Sequence, residues 1–125
     1  MVNSATQRSH VLFYGALAVD LYVGLACLKA NPACKDFRRF GDGKGAYVHV
    51  LAWADSREAY SRRVQTAAEE LDCILVELDD VELLETKMDS GDFPEEFLNM
   101  RNTAVRQPKD VVFGTFHIWH TDERN

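Results

Sequence analysis

The chain holds only three cysteines, Cys27, Cys34 and Cys73, and no CxxC pair. An odd, widely spaced set builds neither a disulfide framework nor a zinc ribbon. Cys73 lies in an apolar run and reads as a small core residue. A reducing compartment, the cytoplasm, is the expected setting. Motifs of high chemical specificity are missing too. There is no GxSxG, no GxGxxG, and no serine or cysteine with an evident base partner. The stretch GDGKG (41–45) lacks the GxxxxGK[ST] spacing, and a strand follows where a phosphate loop needs a helix. It reads as a turn or hairpin loop. No internal repeat, low-complexity tract or linker is present. These absences leave no residue to which a catalytic role, a metal or a cofactor is assigned.

What is present suits one domain spanning 1–125. A chain of 125 residues, 46% hydrophobic and 27% charged, buries one proper core. The ends 1–9 and 121–125 are polar and expected to fray. The net charge is −6, which repels nucleic acid and anionic lipid unless a basic patch overrides it. The charge is uneven. Residues 55–96 contain fourteen acids against four basic residues, a balance of −10, while the remainder is +4. The one basic patch, Lys29 to Lys44, interleaves Phe37 and Phe40 with Arg38 and Arg39, but Asp36 and Asp42 dilute it. Nucleic acid is therefore not an expected partner.

Residues 11–30 (VLFYGALAVDLYVGLACLKA) are long and apolar. Asp20 in their middle argues against a membrane span, and a single preceding Arg8 is a poor signal-peptide start. They read as core structure, strand or helix left open. Asn31-Pro32 ends them. Residues 47–54 (YVHVLAWA) read as a strand. Asp55 with Glu58 three positions on makes a capping-box pattern for a helix over 56–71. Its Ala59, Tyr60, Val64, Ala67, Ala68 and Leu71 form one apolar stripe. Residues 73–78 read as a second strand, with Ile74, Val76 and Leu78 on one face; Asp79-Asp80 interrupts it, and Val81 to Leu84 either resume a strand after a bulge or start a short extra one. Pro94, with Glu95 and Glu96 at the positive end, starts a helix reaching Val105. Phe97, Leu98, Arg101 and Val105 are placed on one side of it. Residues 111–120 read as the last strand.

The resulting fold class is α+β: a two-layer sandwich, with a mixed or antiparallel sheet and two helices packed mainly on one face, ferredoxin-like or related. If the strands at 47–54 and 73–78 are parallel neighbours, the helix between them is a right-handed crossover. Alternation puts Val48, Val50, Ala52, Val112, Phe116 and Ile118 on the helix side. The opposite face then carries Tyr47, His49, Trp53, Phe113, His117 and Trp119, a candidate binding face. His49 and His117 share it as a candidate acid/base or pH-sensitive pair. His117 and His120 are three apart on a strand, face opposite ways, and make no metal site. Glu77, Asp79, Asp80 and Glu82 form an acidic ribbon, read as a solvated edge or a partner surface.

Two function classes follow. The first is a non-catalytic cytoplasmic protein-binding domain, a homodimer or the acidic partner of another protein in the manner of chaperones and immunity proteins. The alternative is a small dimeric ferredoxin-like enzyme or ligand-binding protein using the His/aromatic face. An open acidic or aromatic surface favours the first; a pocket of a few hundred Å³ with converging polar groups favours the second.

Overall fold

A computed structural model of the chain describes residues 11–14, 17–31 and 44–119. The expected frayed ends, the basic glycine-rich loop up to residue 43, Cys34 and His120 lie outside the described residues. In chain order the elements are β1 (Val11–Tyr14), β2 (Leu17–Ala30), β3 (Gly45–Ala54), α1 (Arg57–Glu70), β4 (Cys73–Leu83), α2 (Leu84–Asp89), α3 (Glu96–Arg106), β5 (Val112–Phe113) and β6 (His117–Trp119). The strands make one antiparallel sheet in which the apolar 17–30 segment is the axis. β2 pairs with β3 along one side, and with β1 and β4 along the other; β5 and β6 pair in turn with β3. Its α1-facing Ala26 and Leu28 and its reverse-facing Val19, Leu21, Val23 and Cys27 are all buried, which leaves the segment no clean alternation.

The chain is thus an α+β protein of an antiparallel sheet layered with helices, ferredoxin-like only in broad outline. β3 and β4 are both antiparallel to β2, which lies between them. They run parallel without being neighbours, so α1 bridges a split pair. α1 forms the main helix layer: Tyr60, Val64 and Ala68 pack on Ala26, Leu28, Ala46, Val48, Val50 and Ala52. Burying each Val- or Leu-sized side chain there contributes about 1.5–3 kcal/mol. The helices are less one-sided than two helices on one face. α2 and α3 close one end of the reverse face, where Leu84, Phe97, Met100 and Ala104 pack on Val19, Leu21, Val23, Leu51 and Trp53.

Several local expectations need correction. α1 is capped by Ser56, not Asp55: Ser56 is extended, and its hydroxyl accepts from the Ala59 N–H at 3.0 Å. β4 runs on to Leu83, with a positive φ of 55° at Asp80 where the ladder shifts register. Its inward residues are Cys73, Leu75, Leu78 and Val81. Ile74 and Val76 are exposed, because Ile74 stands opposite Lys29 on the reverse face and the ladder slips a residue after Leu75. α3 buries Phe97, Met100 and Ala104, whereas Leu98 and Val105 face solvent. The last strand is two short ones, since Gly114–Phe116 leave the ladder between them. The short α2 has no counterpart in the sequence reading.

No helix among the described residues is long and apolar enough to cross a membrane.

Candidate functional site

The register lays the reverse face out in transverse rows. Glu77, Cys27, Tyr47 and His117 form one row; Asp79, Leu25 and His49 form the next. The third row, Glu82, Val23, Leu51 and Val112, lies at the end covered by α2 and α3. The shift at Asp80 matters here. Strict alternation from Glu77 and Asp79 would aim Val81 at this face and Glu82 at the other. The bulge restores Glu82 to the same face, opposite Val23, as bulges re-aim side chains generally. Glu77, Asp79 and Asp80 are exposed, and Glu82 is half-buried and paired with Lys87 at 3.8 Å.

The six aromatic and histidine residues of the expected binding face do not stay together. Tyr47, His49, Trp53, His117 and Trp119 share the reverse face. Phe113 does not: it pairs with Val50 and packs in the α1 core, stacked on Phe116 at 6.0 Å. Val112 takes its place opposite Leu51. The excursion at 114–116 shifts parity between β5 and β6, which a continuous-strand reading cannot foresee. Trp53 is buried under α3 and donates its indole N–H to the Ala104 carbonyl at 3.0 Å. Trp119 is buried against Gly45, where a Cβ would stand 2.5 Å from its ring, and packs on Tyr47 at 5.3 Å. Both tryptophans are therefore structural supports.

The chemistry concentrates at His49. Its row ends where α3 begins, and Phe97 in the first turn meets the imidazole edge-on at 5.0 Å. The Glu96 carboxylate lies 3.7 Å from His49 Nδ1, an ion-pair distance too long for a hydrogen bond. Glu96 is fixed from its other side: Oε1 accepts from the Thr115 N–H at 2.9 Å. The 114–116 excursion supplies that amide, and it is tied back to β3 by Gly114 N–H donating to the His49 carbonyl at 2.9 Å. Gly114 permits the approach, because a Cβ there would stand 2.9 Å from Met100 Sδ and 3.0 Å from Glu96 Oε2.

His49 Nδ1 is buried without a hydrogen-bond partner, yet the side chain keeps 24% of its surface exposed. Solvent therefore reaches the ring through its other atoms. Desolvation lowers the His49 pKa below its ordinary 6.5; Glu96 opposes that shift, while Lys87 and His117 add to it. For Glu96 burial works toward a higher pKa. Hydrogen bonds from Thr115 and the two imidazoles outweigh it and hold the carboxyl below its ordinary 4.5. At neutral pH the pair is a neutral imidazole beside a carboxylate. His49, Pro94, Glu96, Thr115 and His117 line an open recess of about 320 Å³.

A larger groove of about 700 Å³ lies between α1 and residues 109–113, rimmed by Arg62, Arg63 and Lys109 against Glu70 and Asp110. Arg63 is committed there to the Trp53 and Lys109 carbonyls, at 2.6 and 2.5 Å. No cluster of three or more His, Cys, Asp or Glu suited to a metal ion occurs among the described residues. Sequence reading took Glu96 for a helix-start charge only. Its partner lies 47 positions away in the chain, and no local signal joins the two.

No protein-family model, no curated protein and no solved structure matches this chain.

Proposed function

We propose that the chain is a non-catalytic domain that binds a basic protein partner through the reverse face of its sheet. One observation carries this reading: the rows place exposed Glu77 and Asp79 at one margin and His117 and His49 at the other, across Cys27, Tyr47 and Leu25. An acidic margin beside the half-buried Leu25 and Tyr47 is the make-up of a recognition patch that steers and orients a cationic partner. The recess at His49 is open, which suits one anchoring side chain of a macromolecule better than an enclosed small substrate. Buried thiols at Cys27 and Cys73 fit a reducing, cytoplasmic setting.

The enzyme reading draws on the same pair, since a carboxylate facing an imidazole is how a general base is oriented. It needs a site that excludes water, and the open recess favours the binding reading instead.

The test compares wild type with a Glu77→Lys/Asp79→Lys variant as immobilised bait in lysate of the source cells. The expected result is a basic protein retained by wild type, released as salt shortens the screening length to a few ångströms (~3 Å near 1 M), and not retained by the variant. Equal capture by both proteins contradicts the proposal. Sedimentation equilibrium distinguishes the competing occupant, a second copy stacked on the same face.

A further inference from the structure

The five residues lining the recess at His49 include one carboxylate, two imidazoles and a hydroxyl, and no lysine or arginine. Its hydrogen-bonding character follows from His49. The sealed Nδ1 faces the Glu96 carboxylate at 3.7 Å. A lone pair aimed at a carboxylate is repelled, so in the neutral ring the hydrogen sits on Nδ1 and the lone pair on Nε2. The atoms of the ring that solvent reaches thus include an acceptor. Glu96 adds a second: its carboxylate accepts from Thr115, with Oε1 2.9 Å from the backbone N–H, and Oε2 faces His49 at 3.7 Å. Two acceptors and a net negative charge call for a ligand that donates and is positive; the Thr115 hydroxyl and His117 can accept from it as well.

We propose that this recess binds a guanidinium or ammonium group, with arginine as the better fit, and that protonation of His49 expels it. The planar fork of a guanidinium has donors for both a carboxylate oxygen and an imidazole nitrogen, which a point-like ammonium matches less well. Protonation reverses each element of the match. Nε2 becomes a donor, Glu96 acquires a fixed counter-ion, and the recess loses its negative charge. The groups that bear on His49 are Glu96 from α3, Lys87 from α2 and His117 from β6, with Asp79 of β4 in the same row beyond Leu25. Lys87 is itself held by Glu82 at 3.8 Å, which draws its charge away from the recess. The inference takes from the binding reading only that this face meets a protein; the ligand chemistry stands on the recess alone.

The probe is N-acetyl-arginine amide, with the neutral, near-isosteric N-acetyl-citrulline amide as control. Binding is read by NMR from the Thr115 amide and the His49 ring proton. Arginine amide is expected to shift both signals at about pH 7.5 and to bind about tenfold more weakly about one pH unit below the His49 midpoint, which the same ring proton reports. Citrulline amide should shift neither. Glu96→Gln, checked for native amide dispersion, should abolish the response. A response to citrulline, an affinity unchanged at low pH, or undiminished binding by Glu96→Gln overturns the inference. If Glu77→Lys/Asp79→Lys leaves lysate capture intact while arginine amide still binds, the proposed function falls and the recess assignment stands. Intact, charge-dependent capture with no arginine binding has the opposite meaning.

Discussion

Replacing Gly114 by alanine probes the packing that builds the recess. The new methyl would stand 2.9 Å from Met100 Sδ, 3.0 Å from Glu96 Oε2 and 3.1 Å from Glu96 Cδ, all closer than ordinary van der Waals contact. Gly114 has no positive φ, so an alanine backbone is allowed and the cost is steric. Two side chains must give way. The end of Glu96 can rotate out, but doing so breaks its bond from Thr115 N–H and moves it from His49; Met100 lies in the core under α3. Overpacking by one methyl costs about 1–3 kcal/mol, and the lost charge-assisted bond, being exposed, adds about 1 kcal/mol or less. The expected total is about 2–3 kcal/mol, or roughly 10 °C in Tm for a domain of this size. Urea denaturation measures the stability. A carboxyl-detected NMR titration of Glu96 measures the accompanying effect, a pKa that rises back toward its ordinary value once Thr115 and His49 no longer hold it. A variant as stable as wild type, with an unmoved Glu96 titration, would refute the packing argument.

Three further outcomes are expected. Trp53→Phe removes the buried donor to the Ala104 carbonyl and part of a core ring, and should cost about 2–4 kcal/mol in denaturant unfolding, with α3 amides losing protection first in hydrogen exchange. Gly45→Ala collides with the Leu28 carbonyl and meets the Trp119 ring at 2.5 Å; backbone cannot yield as Glu96 can, so circular dichroism should show a larger loss of Tm than Gly114→Ala. Stability should also decline with acid in two stages. The fold lowers the His49 pKa from 6.5, so the folded chain binds fewer protons than the unfolded one and stability falls as pH drops below 6.5. Glu96, lowered from 4.5, adds a second loss as pH falls through its folded value. His49→Asn should flatten the first stage in a pH series of melts, and an unchanged series would count against the assignment.

Much of the fold was legible because its signals are local. The stripe from Tyr60 to Ala68 and the alternation from Tyr47 to Trp53 record which side meets α1, and the structure places both as the pattern implies. Residues 11–30 stayed ambiguous because β2 buries Ala26 and Leu28 on one face and Val19, Leu21, Val23 and Cys27 on the other, which leaves no period to read. The errors have long-range causes. Phe113 changed faces because three residues leave the ladder after it, and Ile74 because β4 slips against β2. The acidic ribbon was visible as composition, but the return of Glu82 to the face of Glu77 and Asp79 depends on a bulge at Asp80. Glu96 was invisible as a site residue: its place beside His49 is set by how α3 docks on β3, and by a glycine at 114 that leaves it room.

The central physical claim is that His49 and Glu96 form a coupled pair, neutral imidazole beside fixed carboxylate. The His49 titration, followed by NMR in wild type and in Glu96→Gln, tests it most directly. The wild-type pKa should lie below 6.5, because burial outweighs the carboxylate, and Glu96→Gln should push it lower still by removing the one group that raises it. A His49 pKa that stays put or rises in Glu96→Gln would contradict the pairing.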